Sequence, residues 1–240
     1  MTPEPSPAFD PAAHPRRLNL GCGWDHREGY VNVDFLDFHH PDVVADVRNL
    51  VAFPSGYYDE VLAVDVLEHL HRGDVKPTLL EWGRVLRAGG RLVIRVPDVV
   101  GLVSLMSVSD DLEQQELLLQ CMYGTQAYDG DFHHFGFTEV VLRNYLHEAK
   151  FGTVSITHRD HWLFDVEAVK AENPGPLVLG PLPFMVPGGD LPPGVAPRVP
   201  GAPAPNAGAE TFTATLRRAA ASLRRRVRSL VDGQRSRASR

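Results

Sequence analysis

Hydrophobic positions follow two regular patterns between residue 16 and about residue 171. Short runs rich in β-branched residues, typical of buried strands, alternate with segments in which apolar residues recur every three or four positions. Strands are predicted at Arg17–Leu20, Val31–Asp34, Val43–Asp46, Glu60–Asp65, Arg91–Pro97, Thr153–His158 and Leu163–Ala171. Helices are predicted at Val75–Leu86, Asp110–Met122 and Thr138–Lys150. This alternation indicates an α/β domain with a mostly parallel sheet.

Proline and glycine mark the limits of this domain, which we place at residues 16–171. Residues 1–15 contain five prolines and no hydrophobic period, so we expect a flexible leader. Residues 172–210 are rich in proline and glycine, a composition that favours a disordered linker. In residues 211–240, apolar positions recur at three- and four-residue steps among nine arginines. That pattern predicts a basic amphipathic helix followed by a tail.

Charge is distributed unevenly along the chain. The whole chain of 240 residues carries a formal net charge of −6, yet residues 211–240 alone carry +8. Contact with a polyanion or a membrane is therefore expected in the tail and not in the acidic body. We expect this tail to associate with an anionic membrane surface. Nucleic acid is the second choice, because the acidic body would repel a long duplex.

The expected localisation is cytoplasmic. Peripheral attachment to a membrane through the tail is a further expectation. No stretch reaches about 18 consecutive apolar residues, which excludes a transmembrane helix. The N-terminus lacks the basic start and apolar run of a secretory signal. Two cysteines, Cys22 and Cys121, cannot make a disulfide framework.

A Gly-x-Gly turn directly follows the first predicted strand, at Gly21 and Gly23. Glycine lets the backbone turn sharply and approach a ligand, although such a turn can also be purely structural. Only ten residues separate Gly23 from Asp34, and about six of them remain for the crossover. That is too short for the helix whose N-terminus holds a pyrophosphate. The spacing therefore disfavours a nicotinamide dehydrogenase and favours a cofactor with a ribose but no phosphate.

Acidic residues end three consecutive predicted strands, at Asp34, Asp46 and Asp65. A lone aspartate at such a position is more often a solvated strand end or a helix cap. Three of them along one edge of a parallel sheet indicate a binding edge, since ligands bind at the carboxyl ends of the strands.

The glycine turn and the strand after it resemble the first two motifs of class I S-adenosylmethionine-dependent methyltransferases. Further stretches resemble the fourth strand, the following helix and the glycine turn before the fifth strand. The matching stretches are Leu18–Gly23, Gly29–Asp34, Asp59–Val61, Val66–Leu70 and Arg84–Leu92. The resemblance covers about residues 17–171 and implies a Rossmann-like, doubly wound sheet of about seven mostly parallel strands with a short first crossover. The subgroup with the pattern LNLGCG…GwiNvD is often associated with sugar or cell-surface polysaccharide pathways.

The resemblance implies S-adenosylmethionine as the cofactor. The implied cofactor-binding residues are Leu20, Gly21, Cys22, Gly23, Asp34, Phe35, Asp46, Val47, Asp65 and Val66. The turn would run alongside the methionine part of the cofactor, and Asp34 would accept hydrogen bonds from the ribose hydroxyls, with Phe35 flanking the adenine. Asp46 would accept from the adenine amine, and Asp65 would lie near the sulfonium. Trp24 replaces the small residue of many relatives, which leaves open whether the pocket is narrower there.

Histidines are the predicted catalytic residues, because imidazole exchanges a proton near neutral pH and can act as a general base. His69 follows the fourth predicted strand, and His133 lies where the resembling subgroup usually shows a histidine before its Gly-Phe-Thr turn. Packing of His69 against the sheet and simple surface exposure of His133 are the structural alternatives. Tyr128 and His134 are the predicted substrate-side residues.

No metal site is predicted, because the neighbouring histidines lack a recognised ligand spacing. The pair Glu68–His69 near an aspartate keeps a divalent cation as a minor alternative. Cys22 is interpreted as a small filler in the turn, since nothing near it in the sequence would lower its pKa.

These observations predict a methyltransferase that acts on a hydroxyl or amine of a small molecule or sugar. Acceptor specificity is expected in loops such as Leu102–Asp131. The alternative is a methyltransferase-like domain that has lost catalysis and serves as a binding module. The intact set of turn glycines with Asp34 and Asp46 argues against that alternative.

Overall fold

The computed structural model describes residues 9–128 and 130–179, which contain a seven-stranded sheet. The strands are β1 Arg17–Leu20, β2 Val31–Asp34, β3 Val43–Val44, β4 Tyr58–Val64, β5 Leu86–Pro97, β6 Phe151–Arg159 and β7 Leu163–Lys170. The helices are α1 Arg72–Val85, α2 Val99–Val108, α3 Leu112–Tyr123 and α4 Glu139–Glu148. Short 3₁₀ helices span Pro11–Ala13, Asp37–His39 and Leu67–His69.

The sheet has the order β3-β2-β1-β4-β5-β7-β6. Strands β1 to β5 are parallel to one another, and β7 runs antiparallel between β5 and β6. The chain moves outward from β1 to β3 and then returns to the other side of β1 with β4. In a doubly wound sheet, ligands bind at this reversal, beyond the carboxyl ends of the strands. The predicted Rossmann-like sheet is confirmed.

The described residues form two compact units. The first contains the sheet and comprises the residues up to Val100 and those from His133 onward, and the second comprises Gly101–Phe132. In the first unit, α1 and α4 pack against each other, α1 packs on β5 and α4 on β6. The fully buried Trp82 on α1 donates its indole N–H to the carbonyl of Val47 at 2.9 Å. Burying each large side chain of this kind stabilises the fold by about 1.5–3 kcal/mol.

The bounds of β1 and β2 are those predicted, whereas β5 begins at Leu86 and not at Arg91. Its pairing with β4 shifts register between Leu86 and Arg91, across a stretch that contains Gly89 and Gly90. Gly89 has a φ of +70°, and a Cβ on Gly90 would lie 2.9 Å from a backbone oxygen. The predicted glycine turn before the fifth strand is therefore an irregularity inside that strand.

The interpretation of Leu102–Asp131 as loops is wrong for most of that segment. α2 occupies its beginning, and α3 follows, close to its predicted bounds. α2 is apolar almost all the way round, so it lacks the periodicity by which a surface helix is recognised. Asp111 caps α3 by accepting a hydrogen bond from the N–H of Gln114 at 2.8 Å.

No helix forms between residues 21 and 30, as expected for a crossover too short for a pyrophosphate-binding helix. Buried asparagines hold this loop in place. Asn19 donates from Nδ2 to Asn32 Oδ1 at 3.0 Å and to the carbonyl of Asp25 at 2.8 Å. The N–H of Asn32 donates to Asp42 Oδ2 at 2.7 Å. These bonds replace the helix that usually joins two parallel strands.

Part of the predicted leader packs on the domain. Phe9 lies against the buried Phe53, with 5.1 Å between ring centroids, and the hydroxyl of Tyr57 donates to the carbonyl of Pro11 at 3.3 Å. Most of the predicted linker and all of the basic helix in residues 211–240 lie outside the described residues. Within the described part of the chain, no helix is long and apolar enough to cross a bilayer.

Candidate functional site

The glycine turn after β1 has a left-handed backbone at both glycines, with φ of +62° at Gly21 and +49° at Gly23. Between them, the N–H of Cys22 donates to the carbonyl of Val33 on β2 at 3.0 Å. A Cβ on Gly21 would lie 2.7 Å from the side chain of Val66, whereas a Cβ on Gly23 would meet nothing within 4 Å. The turn is therefore packed at Gly21 and open at Gly23.

The carboxylate of Asp34, at the end of β2, is tied to this turn. Its Oδ2 accepts from the N–H of Gly23 at 2.8 Å, and its Oδ1 accepts from the N–H of Leu36 at 2.9 Å. His39 Nδ1 lies 3.1 Å from the same Oδ1. Burial alone would raise the pKa of Asp34, but the hydrogen bonds from His39, Leu36 and Gly23 outweigh it and hold that pKa below its usual value. The acid is ionised at neutral pH.

This arrangement fits the ribose of the implied cofactor. A carboxylate offers about four acceptor positions, of which the neighbours of Asp34 take three. One acceptor position remains beside the open backbone of Gly23, where an added Cβ would occupy free space. Phe35, the next residue, is 54% exposed, so its ring is available to flank a base. Leu20, which precedes the turn, is fully buried and supports it from below.

His39 is a supporting residue that the sequence analysis missed. It is buried at the end of the 3₁₀ helix Asp37–His39, and the ring of Trp24 packs on it edge-on, with 5.2 Å between centroids. Trp24 also contacts Phe38, with 6.1 Å between centroids. Trp24, which replaces the small residue of many relatives, thus packs on His39, the partner of Asp34. The signal that could have found His39 is a histidine five residues after a strand-ending acid.

Asp46 follows β3 in a turn and is paired with Arg48. Arg48 Nη2 lies 2.7 Å from Asp46 Oδ2, and the N–H of Arg48 donates to Asp46 Oδ1 at 2.9 Å. The Arg48 hydrogen bonds lower the pKa of Asp46 despite partial burial. A hydrogen bond from an adenine amine would have to share these oxygens with Arg48, and that role stays a prediction. Val47 is buried, and its carbonyl accepts from Trp82.

Asp65 and Val66 follow β4 at the same edge of the sheet. Asp65 has a left-handed φ of +57° and donates its N–H to the carbonyl of Arg95 at 3.1 Å. This backbone bend carries the chain from the strand to Val66, whose side chain packs against Gly21. The four strand ends therefore place Gly21, Asp34, Asp46 and Asp65 along one edge, as predicted.

The two predicted catalytic histidines lie side by side. The rings of His69 and His133 meet edge-to-face, with 4.7 Å between centroids and an interplanar angle of 82°. His69 ends the separate 3₁₀ helix Leu67–His69, and α1 starts only at Arg72. The N–H of His134 donates to the carbonyl of Glu68 at 2.8 Å, which fixes the segment that carries His133.

The predicted substrate-side residues lie in different units. His134 is in the first unit, where its ring packs against that of His71 with 4.2 Å between centroids. Tyr128 is in the second unit, where its carbonyl accepts from the N–H of Asp131 at 3.0 Å. Burial, with a contribution from Asp34, raises the pKa of the Cys22 thiol to about 12. The raised pKa agrees with the interpretation of Cys22 as a small filler in the turn, since the nucleophilic form of a cysteine is the thiolate.

Residues 18–94 match the family model described as a methyltransferase domain. This match spans β1 to β5 and includes the glycine turn, Asp34, Asp46, Asp65 and the segment before α1. No curated protein matches the chain significantly.

Several solved structures are similar in fold. A possible exported protein from Bordetella parapertussis has 16% identity and a TM-score of 0.49, over 66% of this chain and 63% of that chain. A methyltransferase dependent on S-adenosylmethionine from Archaeoglobus fulgidus has 16% identity and a TM-score of 0.47, over 65% and 86%. Another from Methanosarcina mazei has 15% identity and a TM-score of 0.49, over 65% and 92%. These similarities are too low to assign an activity.

Proposed function

We propose a function from the premise that residues 18–94 belong to the class I S-adenosylmethionine-dependent methyltransferase superfamily, whose cofactor is S-adenosylmethionine. The chain transfers the methyl group of this cofactor to a hydroxyl or amine of a small molecule or sugar. The observation that carries the proposal is the hydrogen bond between Gly23 and the buried carboxylate of Asp34 at the reversal of the sheet. It joins a bare backbone turn to an acceptor for ribose hydroxyls.

The residues of the turn bind and orient the cofactor. Gly21 lets the turn pack against Val66, and Gly23 keeps the open side of the turn free for a ligand. Asp34 is held ionised by its neighbours and can accept from a hydroxyl. When bound, S-adenosylmethionine supplies both the methyl group and its leaving group. The protein then mainly has to orient the acceptor, and good orientation contributes up to roughly 7–11 kcal/mol to lowering a barrier.

The acceptor side is proposed beyond Val66, where the chain continues to His69 and meets His133. Val66 packs on Gly21 of the turn, and His69 follows it shortly in the chain and contacts the ring of His133. Both histidines are half-buried residues. An acceptor hydroxyl or ammonium has to lose a proton during the reaction, and imidazole is suited to assist that loss near neutral pH.

Incubation with methyl-labelled cofactor and a panel of acceptors tests this function. The panel contains sugars, nucleotide-sugars and small alcohols and amines, and the full chain is compared with Asp34→Ala. We expect label in at least one acceptor with the natural chain and a loss of 10-fold or more in the variant. Cofactor binding without transfer to any member of the panel would contradict the proposal and favour a binding module.

A further inference from the structure

Three side chains that commonly ligate metals converge just beyond the residues that line the glycine turn. One donor atom from each of Glu68, His69 and His133 lies within 4.8 Å of the other two. Glu68 is only 1% exposed, whereas both histidines are half-buried. Glu68 is therefore the most deeply buried member of the cluster.

We propose that Glu68, His69 and His133 bind a divalent metal ion, with Zn²⁺ as the best-matched ion, and that this ion binds a hydroxyl of the acceptor. Two imidazoles and one carboxylate form a donor set that suits zinc and related transition metals. Three protein ligands leave a coordination position for a substrate, as in catalytic zinc sites. Donors held at about 2.0–2.2 Å from one zinc ion lie roughly 3.5 Å apart, so adjustments of about 1 Å close the set.

The third ligand, His133, is followed directly by a segment that backbone hydrogen bonds hold in place. Next to His133, the N–H groups of His134 and Phe135 both donate to the carbonyl of Glu68, at 2.8 and 3.2 Å. Further along, the N–H of Val99 donates to the carbonyl of Phe137 at 3.0 Å. The segment with His133 is thus tied to the segment with the other two ligands, as a preorganised metal site requires.

Close packing supports the same segment. A Cβ on Gly136 would lie 2.4 Å from Val99 Cγ2, and Phe137 is fully buried. An outward shift of residues 133–137 would therefore break these backbone hydrogen bonds and also the packing of Gly136 against Val99. A loop of this kind keeps His133 beside His69 before any ion arrives.

The role of the ion rests on the proposed function and narrows its acceptor from a hydroxyl or amine to a hydroxyl. In this form His69 and His133 act as metal ligands, and the ion replaces imidazole as the group that assists loss of the acceptor proton. An amine that binds a metal gives up its only lone pair, whereas a bound hydroxyl loses its proton more easily and keeps electron pairs for attack. The proton leaves to solvent, and an oxygen electron pair forms the bond to the methyl carbon. The electrons of the broken carbon–sulfur bond stay on sulfur, so atoms and charge balance.

Zinc titration of the tag-free full chain, stripped of metal by chelator, tests the site. Calorimetry and elemental analysis are applied to the natural chain, to Glu68→Gln and His133→Gln, and to the control His71→Gln. His71 lies near the cluster in sequence, but its ring packs on His134. Each protein is also titrated with S-adenosylhomocysteine, which reports the fold and the cofactor site independently of zinc.

We expect one zinc ion per chain, bound at least 10-fold more weakly by Glu68→Gln and His133→Gln and unchanged in His71→Gln, with S-adenosylhomocysteine binding retained in all. Absence of zinc from the natural chain, or equal zinc affinity in all four proteins, would overturn the metal site and leave the proposed function standing. Zinc bound as expected without S-adenosylhomocysteine binding would instead overturn the proposed function and, with it, the role of the ion toward an acceptor.

Discussion

Asp34 Oδ2 accepts a hydrogen bond from the backbone N–H of Gly23, with 2.8 Å between the two atoms. Only ten residues separate the two in the sequence, and no helix lies between them. The acid at the end of β2 and the turn at the end of β1 are therefore one unit. A ligand that needs both a bare backbone and a carboxylate finds them already in place, which lowers the entropic cost of binding.

Asp34 is expected to make stability depend on pH in the acid range. Its pKa in the folded protein lies below the usual value of 3.8, so the folded state favours the ionised form. The stabilisation is fully present above about pH 4 and is lost as the pH falls through the depressed pKa. We expect Asp34→Asn to lower the free energy of unfolding by about 1–3 kcal/mol at pH 7, and the deficit to shrink below pH 4.

Urea unfolding of both proteins from pH 7 to pH 3 measures this deficit. Asp59→Asn is the control, because Asp59 lies at the start of β4 and forms an exposed ion pair with Arg87. A deficit for Asp34→Asn that stays constant over the whole range would show that the hydrogen bonds do not depend on ionisation.

Alanine substitutions at three glycines distinguish the cost of a strained backbone from the loss of contact with the cofactor. Gly21, Gly23 and Gly29 all have positive φ, but a Cβ meets a neighbour only at Gly21, where Val66 is 2.7 Å away. We expect alanine to cost about 1–2 kcal/mol at Gly23 and Gly29 and more at Gly21. Of Gly23→Ala and Gly29→Ala, only Gly23→Ala should weaken cofactor binding, by 10-fold or more. Thermal unfolding and calorimetry check both effects, and equal binding by Gly23→Ala and Gly29→Ala would contradict the placement of the site.

The asparagine pair beneath the turn is expected to support it. Asn32 accepts from Asn19 Nδ2 at 3.0 Å and donates its own N–H to Asp42 at 2.7 Å. Asn32→Ala leaves the buried amide of Asn19 with one fewer partner and should cost about 1–3 kcal/mol. Hydrogen exchange should rise in residues 21–30, and exchange there that matches the natural chain would contradict the role of this pair.

The two cysteines are expected to differ in reactivity. Cys22 is buried, and its pKa is raised to about 12, so almost no thiolate exists at pH 8. Cys121 is half-buried on α3. Alkylation at pH 8 followed by mass spectrometry should modify Cys121 first and Cys22 only after unfolding. Rapid modification of Cys22 in the folded protein would contradict this prediction, because it would show that the Cys22 thiol is accessible to solvent.

Most of the sheet could be predicted from sequence because its strands are short, β-branched runs that end in glycine or aspartate. α2 could not be predicted in the same way, since Val99–Val108 is apolar almost all the way round and shows no helical period. The start of β5 was missed because its pairing with β4 continues past the irregularity at Gly89 and Gly90, which reads as a turn in the sequence.

The site was predictable only where its residues lie in neighbouring motifs. Gly23 and Asp34 belong to adjacent motifs, so their proximity follows from strand order. His39 was missed because its contact with Asp34 depends on the 3₁₀ helix that turns it back toward the sheet. Glu68 and His133 are far apart in sequence, and only the fold brings them within reach of one ion, so ligand spacing along the chain could not indicate it.

Calorimetric titration with S-adenosylhomocysteine tests the central claim, that the first strand–turn–strand corner holds an adenosyl cofactor, most directly. The natural chain should bind one molecule with a micromolar Kd, Asp34→Ala should bind at least 10-fold more weakly, and Asp59→Asn should bind like the natural chain. No heat at about 100 µM protein, a concentration that detects micromolar affinities, or equal binding by Asp34→Ala, would contradict the account.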